Sequence, residues 1–156
     1  MPKSATPAAV QTLDPLALEN QFCFALYSAS LAMTKTYKPM LDKLGLTYPQ
    51  YLVMLVLWQQ DDILVKTIGE KLFLDSGTLT PLLKRLEASS LIQRTRDEAD
   101  ERQVRITLTK EGRALRKKAQ CVPQQVLSAS GQSREALERL RNQLSSIRDD
   151  LVKLAS

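Results

Sequence analysis

LDSGTLTPLLKRLEASS (Leu74–Ser90) reads as a helix that packs by one face and offers the other. On a wheel of about 100° per residue, Leu79, Leu82, Leu83 and Leu86 gather on one side, the spacing of a face laid on a core. The opposite side carries Thr78, Thr80, Lys84 and Arg85, with Gly77, Pro81 and Ala88 between them. Small residues among hydroxyls and cations let a helix approach another surface closely while its polar groups reach phosphates or base edges. Most surface helices also have a polar face, so the pattern points to DNA only where its neighbours agree.

The neighbours agree. Upstream, TIGEKL (Thr67–Leu72) is a short helix with Ile68 and Leu72 turned inward, and Leu74-Asp75-Ser76 is a tight link, which makes a helix-turn-helix. Ser76 as N-cap leaves Pro81 deep in the second helix at the loss of one backbone bond, whereas Thr80 as N-cap shortens that helix; a start near Ser76 is expected. Downstream, Leu91–Arg96 and Arg102–Leu108 flank an acidic tip, residues 97–101. Val104, Ile106 and Leu108 alternate with Arg105 and Thr107, as in a hairpin with one buried face. The expected fold class is therefore mainly α with a small two-stranded β wing, a winged helix-turn-helix.

Charge follows the same segment. Lys66–Lys118 holds 13 lysines and arginines against 8 acidic residues, so the whole net charge of +5 falls there and the rest of the chain is balanced. A polyanionic partner is implied. The chain has no histidine, which removes Ser/His and Cys/His catalysis, imidazole bases and His-containing zinc sites. Its five glycines form no phosphate loop. No enzyme, metal or cofactor is expected. MPKSATPAAV lacks the apolar run of a signal peptide, and the longest apolar run, Tyr51–Trp58, is too short to span a bilayer. A cytoplasmic protein without a membrane partner is expected, its two cysteines present as thiols.

Outward from the winged helix, residues 1–13 read as a flexible arm. A helix is expected from about Asp14, with Pro15 in its first turn and a buried stripe of Phe22, Ala25, Leu26, Ala29 and Met33 that Cys23 flanks; Pro39 should kink or end it. Thr47 is a candidate cap for YPQYLVMLVLWQQ (Tyr48–Gln60), apolar nearly all round and so the central core helix. Thr109 caps a helix over Thr109–Gln120, Pro123 interrupts or bends it, and Gly131 closes the segment. The last helix spaces Leu137, Leu140, Leu144, Ile147, Leu151 and Leu154 as a heptad seam that wants a partner helix. A DNA reader with such a seam is most economically a homodimer on paired half-sites of pseudo-palindromic double-stranded DNA.

From about Leu16 to Leu154 the chain resembles the MarR family of dimeric winged-helix regulators. The wing segment DERQVRITLTKEGR (Asp100–Arg113) is similar to that family's signature. ENQFCFALY (Glu19–Tyr27), GLTYPQYLVMLVLW (Gly45–Trp58) and FLDSGTLTPLLKRLE (Phe73–Glu87) resemble its OhrR subfamily, repressors that sense organic hydroperoxides. The resemblance implies an N-terminal dimerisation and sensor helix (residues 14–46), a DNA-binding winged helix-turn-helix (47–110) and C-terminal dimerisation helices (111–156). Asp75, Ser76, Thr78 and Thr80 fall where its recognition helix meets the major groove, and the wheel adds Lys84 and Arg85. Arg94, Asp100 and Arg102 match wing positions that serve the minor groove and adjacent phosphates, with Asp100 orienting Arg102 rather than touching DNA. Arg96 and Arg105 read equally as phosphate contacts or as hairpin surface.

Taken alone, a cysteine among Phe22, Phe24 and Leu26 is a small core hydrophobe. The resemblance makes Cys23 a peroxidatic thiol instead, with Tyr37 and Tyr48 of the other subunit donating to the sulfur and Tyr27, one turn on, in support. Reaction with a hydroperoxide needs a thiolate, and its product is a sulfenic acid. Two-cysteine members of the subfamily close an intersubunit disulfide through a cysteine after the wing; here Ser128 stands at that place and the second cysteine is Cys121. Three readings stay open: Ser128 replaces a resolving cysteine, Cys121 resolves after a larger movement, or a low-molecular-weight thiol serves while Cys121 is structural. An alternative trigger keeps the fold, with a small phenolic or lipophilic ligand releasing DNA and Cys23 inert.

Overall fold

The computed structural model describes residues 14–155; the N-terminal arm expected over residues 1–13 lies outside the described residues. The chain divides into two compact units, Met1–Lys35 and Thr36–Ser156.

In the first unit the helix does not begin at Asp14. Asp14 Oδ1 accepts the Leu16 amide at 2.9 Å, and the side chains of Asn20 and Gln21 donate to the carbonyls of Asp14 and Pro15 at 2.8 and 2.7 Å. These side-chain bonds close a turn with a short 3₁₀ stretch, Leu18–Asn20, and delay helix α1 to Phe22–Asp42. Pro39 does not end α1, since the helix continues through it to Asp42. The stripe expected to be buried is open: Phe22, Leu26 and Met33 are exposed, as are Ala25 and Ala29. Only Leu41, in the second unit, is a buried residue of α1.

The second unit holds the core. Thr47 and Gln50 form a reciprocal capping box at the start of helix α2 (Tyr48–Gln59), each side chain taking the other's backbone amide. Tyr51, Val53, Met54 and Leu57 of α2 are buried, as a helix apolar on all sides requires. A two-residue strand β1 (Ile63–Leu64) leads into helix α3 (Val65–Leu72), and helix α4 (Ser76–Ala88) lays Leu79, Leu83 and Leu86 on the same core. The turn between α3 and α4 passes through Phe73 in the left-handed region, φ 56°.

Strands β2 (Ile92–Arg96) and β3 (Val104–Leu108) pair antiparallel with Ile92 opposite Leu108 and Arg96 opposite Val104. β1 adds a third strand on the other side of β3, with Ile63 opposite Ile106. The sheet is thus three-stranded, one strand more than the hairpin read from sequence. Helix α5 (Lys110–Ala119), capped by Thr109, helix α6 (Val122–Ser130), ended by Gly131 at φ 65°, and helix α7 (Arg134–Leu154) complete the chain. None of the 21 residues of α7 is buried, so its leucine seam is unpartnered in one copy of the chain.

Candidate nucleic-acid interface and thiol site

Helix α4 begins where expected, but its cap is Asp75 rather than Ser76: Asp75 Oδ1 accepts the Thr78 amide at 2.7 Å. The bonds from the Thr78 backbone and side chain hold the Asp75 carboxyl below the usual range. Thr80 Oγ1 donates to the Ser76 carbonyl at 2.7 Å, which ties that hydroxyl to the first turn near Pro81. Ser76, Thr78, Lys84 and Arg85 stand exposed along one side, and Thr80 is half-exposed.

The wing is held by carboxylate–guanidinium pairs. Asp100 grips Arg102 by two bonds, Nε to Oδ1 at 3.0 Å and Nη2 to Oδ2 at 3.2 Å, and takes the Arg102 amide as well. The Arg102 side chain nevertheless stays 90% exposed. Arg94 points back to the recognition helix: Glu87 accepts its Nε at 2.7 Å and its amide at 3.1 Å. Arg105 is spent inside the wing, with Nε and Nη2 on Asp97 and Nη1 on the Asp62 carbonyl. Of the two roles open to Arg105, hairpin structure is the one its bonds occupy, and Arg96 likewise donates to the Glu101 carbonyl at 3.2 Å.

Three carboxylates that sequence reasoning missed organise this surface. Asp97 is only 7% exposed and also accepts the amides of Ala99 and Asp100, which fixes the tip loop. Asp61 accepts the Leu108 amide and pairs with Arg113, both at 2.8 Å, fastening the sheet and α5 to the end of α2. Glu87 joins α4 to β2. Burial alone would raise the Asp61 pKa, but its amide and Arg113 bonds leave it lowered; Arg94 lowers Glu87 and Arg105 lowers Asp97. Only the acidic tip as such was visible beforehand, not which acid turned inward. A cleft of about 770 Å³ between α3, α4 and the wing is rimmed by Lys66, Ser76, Thr80, Arg94 and Arg102.

The thiol candidates are shared between the units. In the first, Cys23 and Tyr27 are exposed, beside exposed Phe22, Phe24 and Leu26. In the second, the Tyr37 and Tyr48 rings lie 4.9 Å apart, with Tyr51 at 5.9 and 6.4 Å from them. Burial, reinforced by Tyr48 and Tyr51, pushes the Tyr37 phenol up to about 12, and burial also raises Tyr48. Both phenols are therefore donors at neutral pH, not bases. Cys121 is exposed rather than packed, with Sγ 3.5 Å from the Lys118 carbonyl. It sits between α5 and α6, because Pro123 has no amide with which to continue the helix from Ala119. Cys121 caps α6, which runs unbroken through Pro123 to Ser128, so the two positions lie about seven residues, roughly 10 Å, apart along one helix.

Among the described residues no group of three or more Cys, Asp or Glu side chains is placed to hold a metal ion, and no helix is long and apolar enough to cross a membrane. Residues 35–119 match the family model described as transcriptional regulator SarA/Rot. The chain is 52% identical over 138 residues to the organic hydroperoxide resistance transcriptional regulator of Bacillus subtilis, covering 88% of this chain and 94% of that protein. It is similar to solved structures of AbfR, a protein of Staphylococcus epidermidis. Reduced AbfR bound to DNA matches with TM-score 0.74 and 35% identity, over 89% of this chain and 95% of that one. Disulfide-formed AbfR matches with TM-score 0.61 and 36% identity, over 87% and 92%.

Proposed function

Because this chain belongs to the SarA/Rot family of transcriptional regulators, winged-helix proteins of the MarR type and not enzymes, we propose that it is a homodimeric repressor released from its operator by organic hydroperoxides. Residues 47–110 read DNA, residues 14–46 and 111–156 form the dimer, and the protein works in the cytoplasm. Ser76, Thr78, Thr80, Lys84 and Arg85 of α4 enter the major groove behind the Asp75 cap. Arg102, steered by Asp100, reaches the minor groove from the wing, and Arg94 lies beside the phosphates between them. DNA held by reduced AbfR supports this half of the reading.

One observation carries the sensor half: Cys23 is exposed on an apolar helix face of a chain 52% identical to an organic hydroperoxide resistance regulator. The Cys23 thiolate attacks the terminal oxygen of the hydroperoxide. An S–O bond forms, the O–O bond breaks, and the alkoxide leaves to take a proton as the alcohol. Tyr37 and Tyr48 of the partner subunit, both protonated at neutral pH, donate to the sulfur, and Tyr27 assists from the same helix. The sulfenic acid then condenses with a thiol and loses water. Cys121, exposed and free, is one such thiol and a low-molecular-weight thiol the other.

A gel shift with the protein's own upstream DNA tests the reading. Cumene hydroperoxide is expected to release the wild-type protein and to leave a Cys23→Ser variant bound. A Cys23→Ser protein that still lets go on treatment would sink the sensor assignment. Release by a salicylate-like compound, but not by peroxide, would transfer control to a bound ligand. Non-reducing electrophoresis separates the resolving routes: a dimer band that disappears in Cys121→Ser belongs to Cys121.

A further inference from the structure

The rings behind the two sensing tyrosines run on in one direction. Tyr37 and Tyr48 both pack against Tyr51, and Tyr51 meets Trp58 edge-on with centroids 6.5 Å apart. Tyr51 is 3% exposed, and with Trp58 it lines a cleft of about 250 Å³ that Arg116, Ala119 and Pro123 close from the other side. The Trp58 indole Nε1 donates to the Gly112 carbonyl at 2.8 Å, across 54 residues of sequence. Gly112 lies in the first turn of α5, where a Cβ would overlap the Leu91 carbonyl. That same carbonyl accepts the Thr109 amide at 3.1 Å, and Thr109 Oγ1 donates to the Ser90 carbonyl at 2.6 Å. Strand β2 of the wing begins at the next residue, Ile92.

We propose that Tyr51 and Trp58 form a strut that carries displacement of the sensing tyrosines to the root of the wing. Tyr51 positions the phenols of Tyr37 and Tyr48, and Trp58 holds the start of α5 against the strand that leads into the wing. The proposal rests on the reading that Tyr37 and Tyr48 respond to oxidation of Cys23. Close-packed interiors pass strain on, and the Tyr37, Tyr48, Tyr51 and Trp58 rings are in continuous contact. Aromatic pairs at these separations are stiff, directional contacts, and coupling between sites travels through such chains of packed groups and hydrogen bonds. Neither residue touches hydroperoxide or DNA in this scheme; both act through others.

The test uses the full-length protein as wild type, Tyr51→Phe, Tyr51→Leu and Trp58→Phe, with folding checked by circular dichroism. Two quantities are read separately: the rate of Cys23 sulfenic acid formation with cumene hydroperoxide, trapped by dimedone, and the fraction of DNA released per oxidised Cys23. Tyr51→Phe keeps the ring and should match wild type in both. Tyr51→Leu should slow oxidation by about fivefold or more, the loss from about 1 kcal/mol of poorer phenol placement. Trp58→Phe should oxidise at the wild-type rate and release about two- to thirtyfold less DNA per oxidised thiol, the span of coupling along packed networks. Trp58→Phe releasing at the wild-type ratio, or Tyr51→Leu oxidising at the wild-type rate, overturns the strut alone. A wild-type protein that keeps its DNA when Cys23 is oxidised overturns the sensor reading and the strut with it. If Tyr51→Leu does not fold, Trp58→Phe decides, since phenylalanine keeps an aromatic ring there and loses the donor to Gly112.

Discussion

Asp100 holds Arg102 by a forked pair of bonds at 3.0 and 3.2 Å while the arginine side chain remains 90% exposed. A guanidinium fixed in this way is aimed without being buried. Arg102→Ala is expected to weaken operator binding about tenfold and to lower the salt slope by about one phosphate equivalent. Asp100→Asn keeps the cation and loses its orientation, so affinity should fall less and the salt slope should stay. Titration by fluorescence anisotropy at several salt concentrations separates the two, and an unchanged affinity for Arg102→Ala would remove it from the interface.

Gly112 has no room for a side chain, because a Cβ would collide with the Leu91 carbonyl and press on Leu108. Gly112→Ala must therefore shift α5 away from the wing root and strain the Trp58 bond to the Gly112 carbonyl. The expected cost is about 1–3 kcal/mol, the range for overpacking, and the melting temperature should fall by about 2–4 °C for each kcal/mol. A calorimetric scan that finds Gly112→Ala as stable as wild type would show that the contact relaxes freely.

The winged helix was legible because its signals are local. The helix start near Ser76, the Leu79–Leu83–Leu86 face and the alternation of Val104, Ile106 and Leu108 each fit within a few residues, although the cap proved to be Asp75, one residue before the expected Ser76. β1 was missed because two residues, Ile63 and Leu64, carry no periodicity; only the partner strand defines them. Phe73 in the left-handed region gave no warning, since the residue type usual there is glycine or asparagine. The inward turn of Asp97 and the reach of Asp61 to Leu108 and Arg113 depend on contacts 8 to 52 residues apart, which no local pattern encodes. At the start of α1 the opposite occurred: Pro15 invites a helix, but Asn20 and Gln21 satisfy the upstream carbonyls first.

Acid should loosen the wing before neutral pH affects it. Asp61, Glu87, Asp97 and Asp100 all have carboxyls below their ordinary values, held there chiefly by the Leu108 amide and Arg113, by Arg94, by Arg105 and by Arg102 respectively. A depressed folded pKa means that the unfolded chain binds more protons. The stabilisation is therefore complete above the unfolded carboxylate values of about 4 and is lost as pH falls through the lower folded ones. Urea midpoints should be flat from pH 6 to 8 (order-of-magnitude window) and decline below about pH 4. Asp61→Asn should show a shallower decline; the same acid slope in variant and wild type would exclude Asp61 from the effect.

The tyrosine cluster should titrate at the other extreme. Tyr37 is pushed up to about 12, and burial also raises Tyr48 and Tyr51. Here the folded state keeps protons that the unfolded chain gives up near 10, so stability falls as pH rises through that value. Absorbance at a tyrosinate band should rise late in the folded protein, and Tyr37→Phe should remove the latest component. Tyrosinate formed by all four tyrosines near pH 10 in the folded state would contradict the burial of this cluster.

The seam on α7 makes the last prediction. A helix of 21 residues without one buried side chain gains little from its own chain, and most helical stability in proteins comes from packing an amphipathic face. Leu140 is 50% exposed, Leu151 59% and Leu154 86%, all on the heptad positions that a partner helix would cover. α1 leaves Phe22, Leu26 and Met33 open as well, and a stable dimer buries about 800 Å² on each side. Leu151 is mostly exposed in a single chain, so the Leu151→Asp monomer should fold normally by circular dichroism. Light scattering at micromolar concentration should give a dimer for wild type and about half that mass for the variant, with operator affinity falling in step because paired half-sites need two linked readers. A Leu151→Asp protein that keeps the dimer mass would place the interface away from the C-terminal end of α7.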